Sequence, residues 1–190
     1  DYKNISQIYR LLLNNCNLLN VINTIFDKNI NNSLSKIINE LQTENKINYK
    51  KLIEDTIDVY DKHNYIISEC FNDNSIYRFT LSHQLSKFFD ITTKNEINYF
   101  YLILFINDLI LDEKLDKALL NHKINKSIIL FKLLNEKDMF IGKYQYYLSS
   151  RLLSSNSKDI DLEKYVVSQI RLECGYSYVS KLELMLTDYT

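Results

Sequence analysis

The chain has 190 residues, with 23 basic and 24 acidic side chains and a formal net charge of -1 at pH 7. A nucleic-acid binder would carry a basic excess or a basic stripe, and this sequence shows neither. Hydrophobic residues make up 46% of the chain, which is ordinary for a folded protein. This length allows one compact domain or an elongated helical molecule with several small cores.

Proline is absent, and glycine occurs only at Gly142 and Gly175. Both residue types interrupt helices and punctuate β-rich folds, so their near absence favours long helices. The longest strongly apolar run, from Tyr99 to Ile106, is far shorter than the ~20 residues that a membrane-spanning helix needs. The sequence therefore predicts an all-α protein without a membrane partner.

The cysteines, Cys16, Cys70 and Cys174, are far apart and form no C-x-x-C pair. A disulfide framework or a zinc site is therefore disfavoured, and a reducing cytoplasmic or nuclear location is expected. The chain starts at Asp1 rather than at an initiator Met, so a piece of a longer protein is also expected.

Apolar residues recur at steps of three and four, which places them on one face of a helix. One such stripe consists of Ile5, Ile8, Leu12, Cys16, Leu19, Ile22 and Phe26, and a second of Ile53, Ile57, Tyr60, Asn64, Ile67 and Phe71. The pattern predicts nine helices, over residues 2–28, 33–43, 48–71, 75–89, 95–112, 115–135, 138–154, 160–174 and 177–188. The first of these is long enough that a bend or a split is expected within it.

The predicted breaks between helices are polar, at residues 29–33, 43–48, 72–75 and 154–159. In the third of these, Asn or Ser is placed to accept from free amides at a helix start. Thr93 and Glu96 have the spacing of a capping box. Gly175 directly follows Cys174, where a helix is expected to stop.

No motif for a catalytic, cofactor or metal site occurs in the sequence. A P-loop, a dinucleotide-binding glycine fingerprint, G-x-S-x-G and H-E-x-x-H are all missing. We therefore predict no catalytic residue, no cofactor and no metal. The histidines, His63, His83 and His122, are interpreted as surface or partly packed structural residues, and the cysteines as small hydrophobes within apolar helix patterns.

Three carboxylates, Asp108, Asp112 and Asp116, are spaced by four residues and would stack on an unbroken helix. A di-metal site in a helical bundle also needs an E-x-x-H motif, which is absent here. With Lys114 and Lys117 close by in sequence, a solvated acidic face near a helix junction is predicted instead.

Two aromatic groups, at residues 99–101 and 144–147, could form a binding surface. Tyrosine can bury its ring while its hydroxyl stays wet, so core residues with an amphipathic rim are the favoured interpretation.

From Phe131 onward the sequence resembles the cullin family. Residues 131–140, FKLLNEKDMF, are similar to a family helix, its acidic turn and the next helix start. The family pattern F-x-x-x-Y-x-x-x-L-x-x-R-L-L is matched by Phe140, Tyr144, Leu148, Arg151, Leu152 and Leu153. The later pattern CGY-x-x-(T/S)-SKLE-x-M-x-x-D is followed by residues 174–176 and 180–183, Met185 and Asp188.

The earlier part is a looser match. Residues 58–64 and 70–74 are similar to the long helix and the F-x-x-D turn of the last cullin repeat, and 79–89 continue the likeness. Ser149 and Ser150 depart from the small-then-basic pair usual before the arginine, and the asparagine-rich turn usual after residue 89 is missing. The resemblance implies elongated stacked helical bundles: a five-helix cullin repeat over 1–114, then the first part of the C-terminal four-helix bundle over 115–190.

What the resemblance implies is a non-catalytic scaffold of a ubiquitin ligase. A RING-box protein and an adaptor with its substrate receptor would bind parts of the full-length protein outside this chain. The region that clasps the RING-box protein and the lysine that accepts a ubiquitin-like modifier would lie beyond Thr190. Two alternatives stay open from the residues alone: a generic helical interaction adaptor unrelated to ubiquitin, and a helical enzyme with an unrecognised site.

Overall fold

The computed structural model describes residues 2–13, 15–43, 48–93, 96–112, 114–154 and 159–189. These contain nine α-helices: α1 Tyr2–Leu12, α2 Cys16–Thr43, α3 Tyr49–Cys70, α4 Ser75–Asp90, α5 Asn98–Leu111, α6 Lys117–Lys132, α7 Lys137–Leu153, α8 Ile160–Cys174 and α9 Tyr176–Tyr189. Two strands of two residues each, β1 Thr92–Thr93 and β2 Glu96–Ile97, stand between α4 and α5 in the chain. The prediction of an all-α fold is confirmed.

The chain divides into two compact units, unit 1 over Asp1–Asn95 and unit 2 over Glu96–Thr190. Helix α5 belongs to unit 2, because it packs on α6 and α7, whereas the cullin resemblance grouped it with the helices before it. The family boundary at 114/115 stays a prediction, since a compact unit is defined by packing and a family repeat by sequence.

The predicted break at 29–33 is wrong, because α2 runs without interruption from Cys16 to Thr43. The side chains of Ile30, Leu34 and Ile37 are buried at steps of four and three residues. Burying an isoleucine or leucine stabilises a helix by about 1.5–3 kcal/mol. Asparagine lowers helix propensity by at most about 0.7 kcal/mol per residue, so burial outweighs the polar composition of this segment.

The split expected in the first long helix occurs between α1 and α2. The Asn15 amide donates to the Leu12 carbonyl (2.9 Å), and the Asn15 side chain accepts from the Leu18 amide (3.3 Å). Within α1 the buried side chain is Tyr9, whereas Ile8 of the predicted stripe is half exposed.

Unit 1 is a bundle of four helices. Helices α2 and α3 pack on each other, and α1 and α4 each pack on both of them. Its centre is an aromatic cluster of Tyr9, Phe26, Phe71 and Tyr77. The Phe71 and Tyr77 rings are stacked at 4.2 Å, and Phe26 meets both of them edge-on. Aromatic pairs of this kind add about 0.5–1.5 kcal/mol beyond area burial.

Two predicted helix boundaries are confirmed by their hydrogen bonds. The Asn74 side chain accepts from the Ile76 amide at 2.9 Å, as expected of an N-cap. Gly175 has a φ of +89°, and its amide donates to the Arg171 carbonyl at 2.8 Å. A positive φ of this kind is readily adopted only by glycine.

Other predicted boundaries fall partly outside the described residues. The predicted turn at 43–48 includes 44–47, the capping box of Thr93 and Glu96 spans 94–95, and the linker at 154–159 includes 155–158. In the described part, α5 begins at Asn98, three residues later than predicted. The Asp159 side chain caps α8 by accepting from the Leu162 amide at 3.0 Å.

Each of the five helices of unit 2 packs closely on two others, in the cyclic order α5, α6, α8, α9, α7. Large apolar side chains from all five fill the interior, among them Leu102, Phe131, Phe140, Val166 and Leu182. This packing surrounds two buried charged side chains, Arg151 and Glu163.

Candidate functional site

A guanidinium group lies inside unit 2 and joins three helices. Arg151 of α7 donates from Nε to Oε1 of Glu163 in α8 (2.6 Å) and from Nη2 to Oε2 of the same carboxylate (2.9 Å). Its Nη1 donates to Oδ1 of Asn107 in α5 (2.8 Å). The Tyr144 hydroxyl, also on α7, lies 3.3 Å from Glu163 Oε2 and 3.4 Å from Arg151 Nη2. We call these four residues the Arg151 network.

Three members of the network are closed to water, while Asn107 is half-buried. Relative exposure is 2% for Arg151 and 0% for Glu163 and Tyr144. Burial, together with the neighbouring Glu163 carboxylate, raises the pKa of the Tyr144 hydroxyl far above its ordinary value. Burial by itself would lower the pKa of Arg151, but the hydrogen bonds and charge of Glu163 outweigh it, so this pKa is raised. Arg151 is therefore held as a cation and Tyr144 as a neutral phenol.

The geometry of the Arg151 network suits a structural role and not a catalytic one. A general acid or base must reach a substrate and titrate near the working pH, whereas these groups face one another in a sealed core. A bidentate arginine–carboxylate pair fixes both direction and distance between its partners. What the Arg151 network can do is hold α5, α7 and α8 in one arrangement.

Arg151 was part of the sequence pattern that resembled the cullins, but Glu163 and Asn107 were missed. A signal for Glu163 was available in its spacing. It lies three, four and seven residues before the buried Val166, Val167 and Ile170, which is the core phase of a helix. A lone carboxylate in that phase indicates a buried cationic partner, because an unpaired buried charge is very costly.

The structure places the three histidines apart. His63 is fully buried in unit 1, more deeply than predicted, and takes a core position of α3. His83 is exposed on α4 and stacks on Phe79 with the ring centroids 5.7 Å apart. His122 is exposed on α6. The structural interpretation of His63 is strengthened by its two hydrogen-bond partners, the Val59 carbonyl and the Asn29 side chain.

The three spaced carboxylates do not stack, because the helix ends between them. Asp108 lies in α5, which ends at Leu111, and Asp116 is the N-cap of α6, accepting from the Ala118 and Leu119 amides. The Asp112 side chain accepts from the Lys114 amide in the connection. In the described ranges no group of three or more His, Cys, Asp or Glu side chains could hold a metal ion.

Cys70 is buried and Cys174 is half-buried, and both are free thiols. Burial is the main cause that raises the pKa of each thiol above its ordinary value. A reactive cysteine instead has a lowered pKa in an electropositive setting. The prediction that these cysteines behave as small hydrophobes agrees with both environments.

The aromatic groups divide between core and surface as predicted. Tyr99, Tyr101 and Tyr144 are buried, while Tyr146 is 68% exposed. The ring of Tyr147 on α7 contacts the ring of Tyr146 on the same helix and the ring of Phe100 on α5. These rings form an amphipathic rim over the core.

Both units also present large apolar side chains to solvent. In unit 1 these include Leu11, Leu18, Val21, Ile25 and Phe79, and in unit 2 Tyr146, Leu153, Leu172, Tyr176 and Leu184. Exposed apolar side chains that are scattered singly are common on protein surfaces, so their exposure alone assigns no partner. Among the helices that the structure describes, none combines the length and apolar character needed to cross a membrane.

Comparison with known proteins decides the family. The model of the Cullin alpha solenoid domain matches residues 1–190. This chain belongs to the cullin family. It is similar to Cullin-4 of Dictyostelium discoideum, with 33% identity over 139 residues that cover 72% of this chain and 17% of that protein. Cullin-3B of Arabidopsis thaliana is 30% identical over 145 residues, 73% of this chain and 19% of that protein.

A longer match is to Cullin-3 of Dictyostelium discoideum, 28% identical over 195 aligned positions that cover 99% of this chain and 24% of that protein. This cullin chain thus spans a quarter or less of the length of the curated relatives it matches. The α7 positions that carried the resemblance are mostly core positions. Tyr144, Leu148, Arg151 and Leu152 are buried, whereas Leu153 is 87% exposed.

Proposed function

We propose that this cullin chain is a rigid, non-catalytic scaffold segment of a cullin-RING ubiquitin ligase. It would lie between the arm that holds the substrate receptor and the end that holds the RING-box protein and the ubiquitin-conjugating enzyme. The observation that carries the proposal is the cullin match over the whole chain, combined with two helical units whose interiors are closely packed.

The physical role of such a segment is to set a distance. Two components held on one rigid support meet at an effective concentration fixed by the support, with no new contact between them. Correct positioning converts a bimolecular step into an effectively unimolecular one. A scaffold therefore accelerates ubiquitin transfer without forming or breaking any bond itself.

The side chains of this chain support that role. The buried hydroxyl, guanidinium and carboxylate of the Arg151 network are satisfied by one another, and the buried Cys70 thiol has a raised pKa. We assign no catalytic residue, cofactor or metal to the chain. The adaptor, its substrate receptor and the RING-box protein would bind elsewhere on the full-length protein, in the cytoplasm or nucleus, without nucleic acid or membrane.

Affinity purification tests the proposal. The full-length protein that contains this chain is tagged and isolated from its own cells, and the associated proteins are identified by mass spectrometry. We expect a RING-box protein and an adaptor in amounts comparable to the tagged protein, and none with an unrelated tagged helical protein as control. Repeated isolation of stable partners without a RING-box protein would favour the generic helical adaptor instead.

A further inference from the structure

We draw no further inference here: the strongest candidate, the apolar groove between the C-terminal ends of α7 and α9 that is lined by Leu153, Met185 and Tyr189, carries no proposal because nothing in the structure shows what covers it.

Discussion

Nε2 of His63 in α3 lies 3.1 Å from Oδ1 of Asn29 in α2, and Nδ1 of the same ring lies 2.7 Å from the Val59 carbonyl oxygen. The ring is fully buried and meets Phe26 edge-on at 5.5 Å. Since a carbonyl only accepts, Nδ1 donates to the Val59 oxygen. Burial lowers the pKa of the ring and so favours its neutral form. His63 therefore joins α2 to α3 as a neutral imidazole.

The first prediction concerns pH. Burial lowers the pKa of His63 below its ordinary value of about 6.5. The unfolded chain then binds more protons than the folded one below that pH, so the free energy of unfolding of unit 1 should decrease as pH falls from 7 to 5. One such proton contributes a slope of at most about 1.4 kcal/mol per pH unit. Chemical denaturation at several pH values measures it.

His63→Gln should make this slope shallower, because it removes the titrating group. The exposed His83 offers the matched control, and His83→Gln should leave the slope unchanged. Equal slopes for His63→Gln and the parent chain would show that His63 is not held neutral.

A second prediction compares two leucines on α7. Leu148 is fully buried and Leu153 is 87% exposed. Leu148→Ala should reduce the free energy of unfolding of unit 2 by about 2–5 kcal/mol, because it removes buried methyl groups and leaves a cavity. Leu153→Ala should change it by no more than about 0.5 kcal/mol. Denaturant unfolding followed by circular dichroism makes the comparison, and similar losses for both variants would contradict the placement of the core.

The third prediction concerns the start of α6. The Asp116 side chain accepts from the Ala118 amide at 3.1 Å and from the Leu119 amide at 3.4 Å. Asp116→Ala should cost about 1 kcal/mol, whereas Asp116→Asn should keep most of the stability because asparagine caps equally well. If alanine and asparagine behave alike, the carboxylate does not cap this helix.

A fourth prediction concerns the thiols. With Cys16 replaced by serine, Cys70 and Cys174 should both react with a thiol-specific reagent at pH 7 more slowly than a free cysteine. The cause is burial, which raises the pKa of each thiol and blocks access. Cys70, at 1% exposure, should be the slower of the two, and denaturant should bring both to the same rate. Fast labelling of Cys70 in the folded chain would mean that α3 opens there.

The helices and the family pattern could be predicted because both depend on local spacing. The positive φ of Gly175 follows directly from a glycine at a helix end. The path of α2 through residues 29–33 could not be predicted, because burial of Ile30 and Leu34 by α3 and α4 overrides the weak local preference of Asn and Ser. The partner of Arg151 also depends on tertiary packing, since Glu163 meets it across the interior of unit 2.

On the proposed function, this cullin chain sets a distance between two other components and forms no bond itself. The direct measurement is ubiquitin transfer by the assembled full-length ligase after a flexible Gly-Ser insertion between residues 95 and 96, at the border of the two units. A rigid scaffold predicts that adaptor and RING-box binding persist while the transfer rate falls on the order of tenfold or more, because the effective concentration of donor and acceptor is lost. An unchanged transfer rate with both partners bound would contradict it.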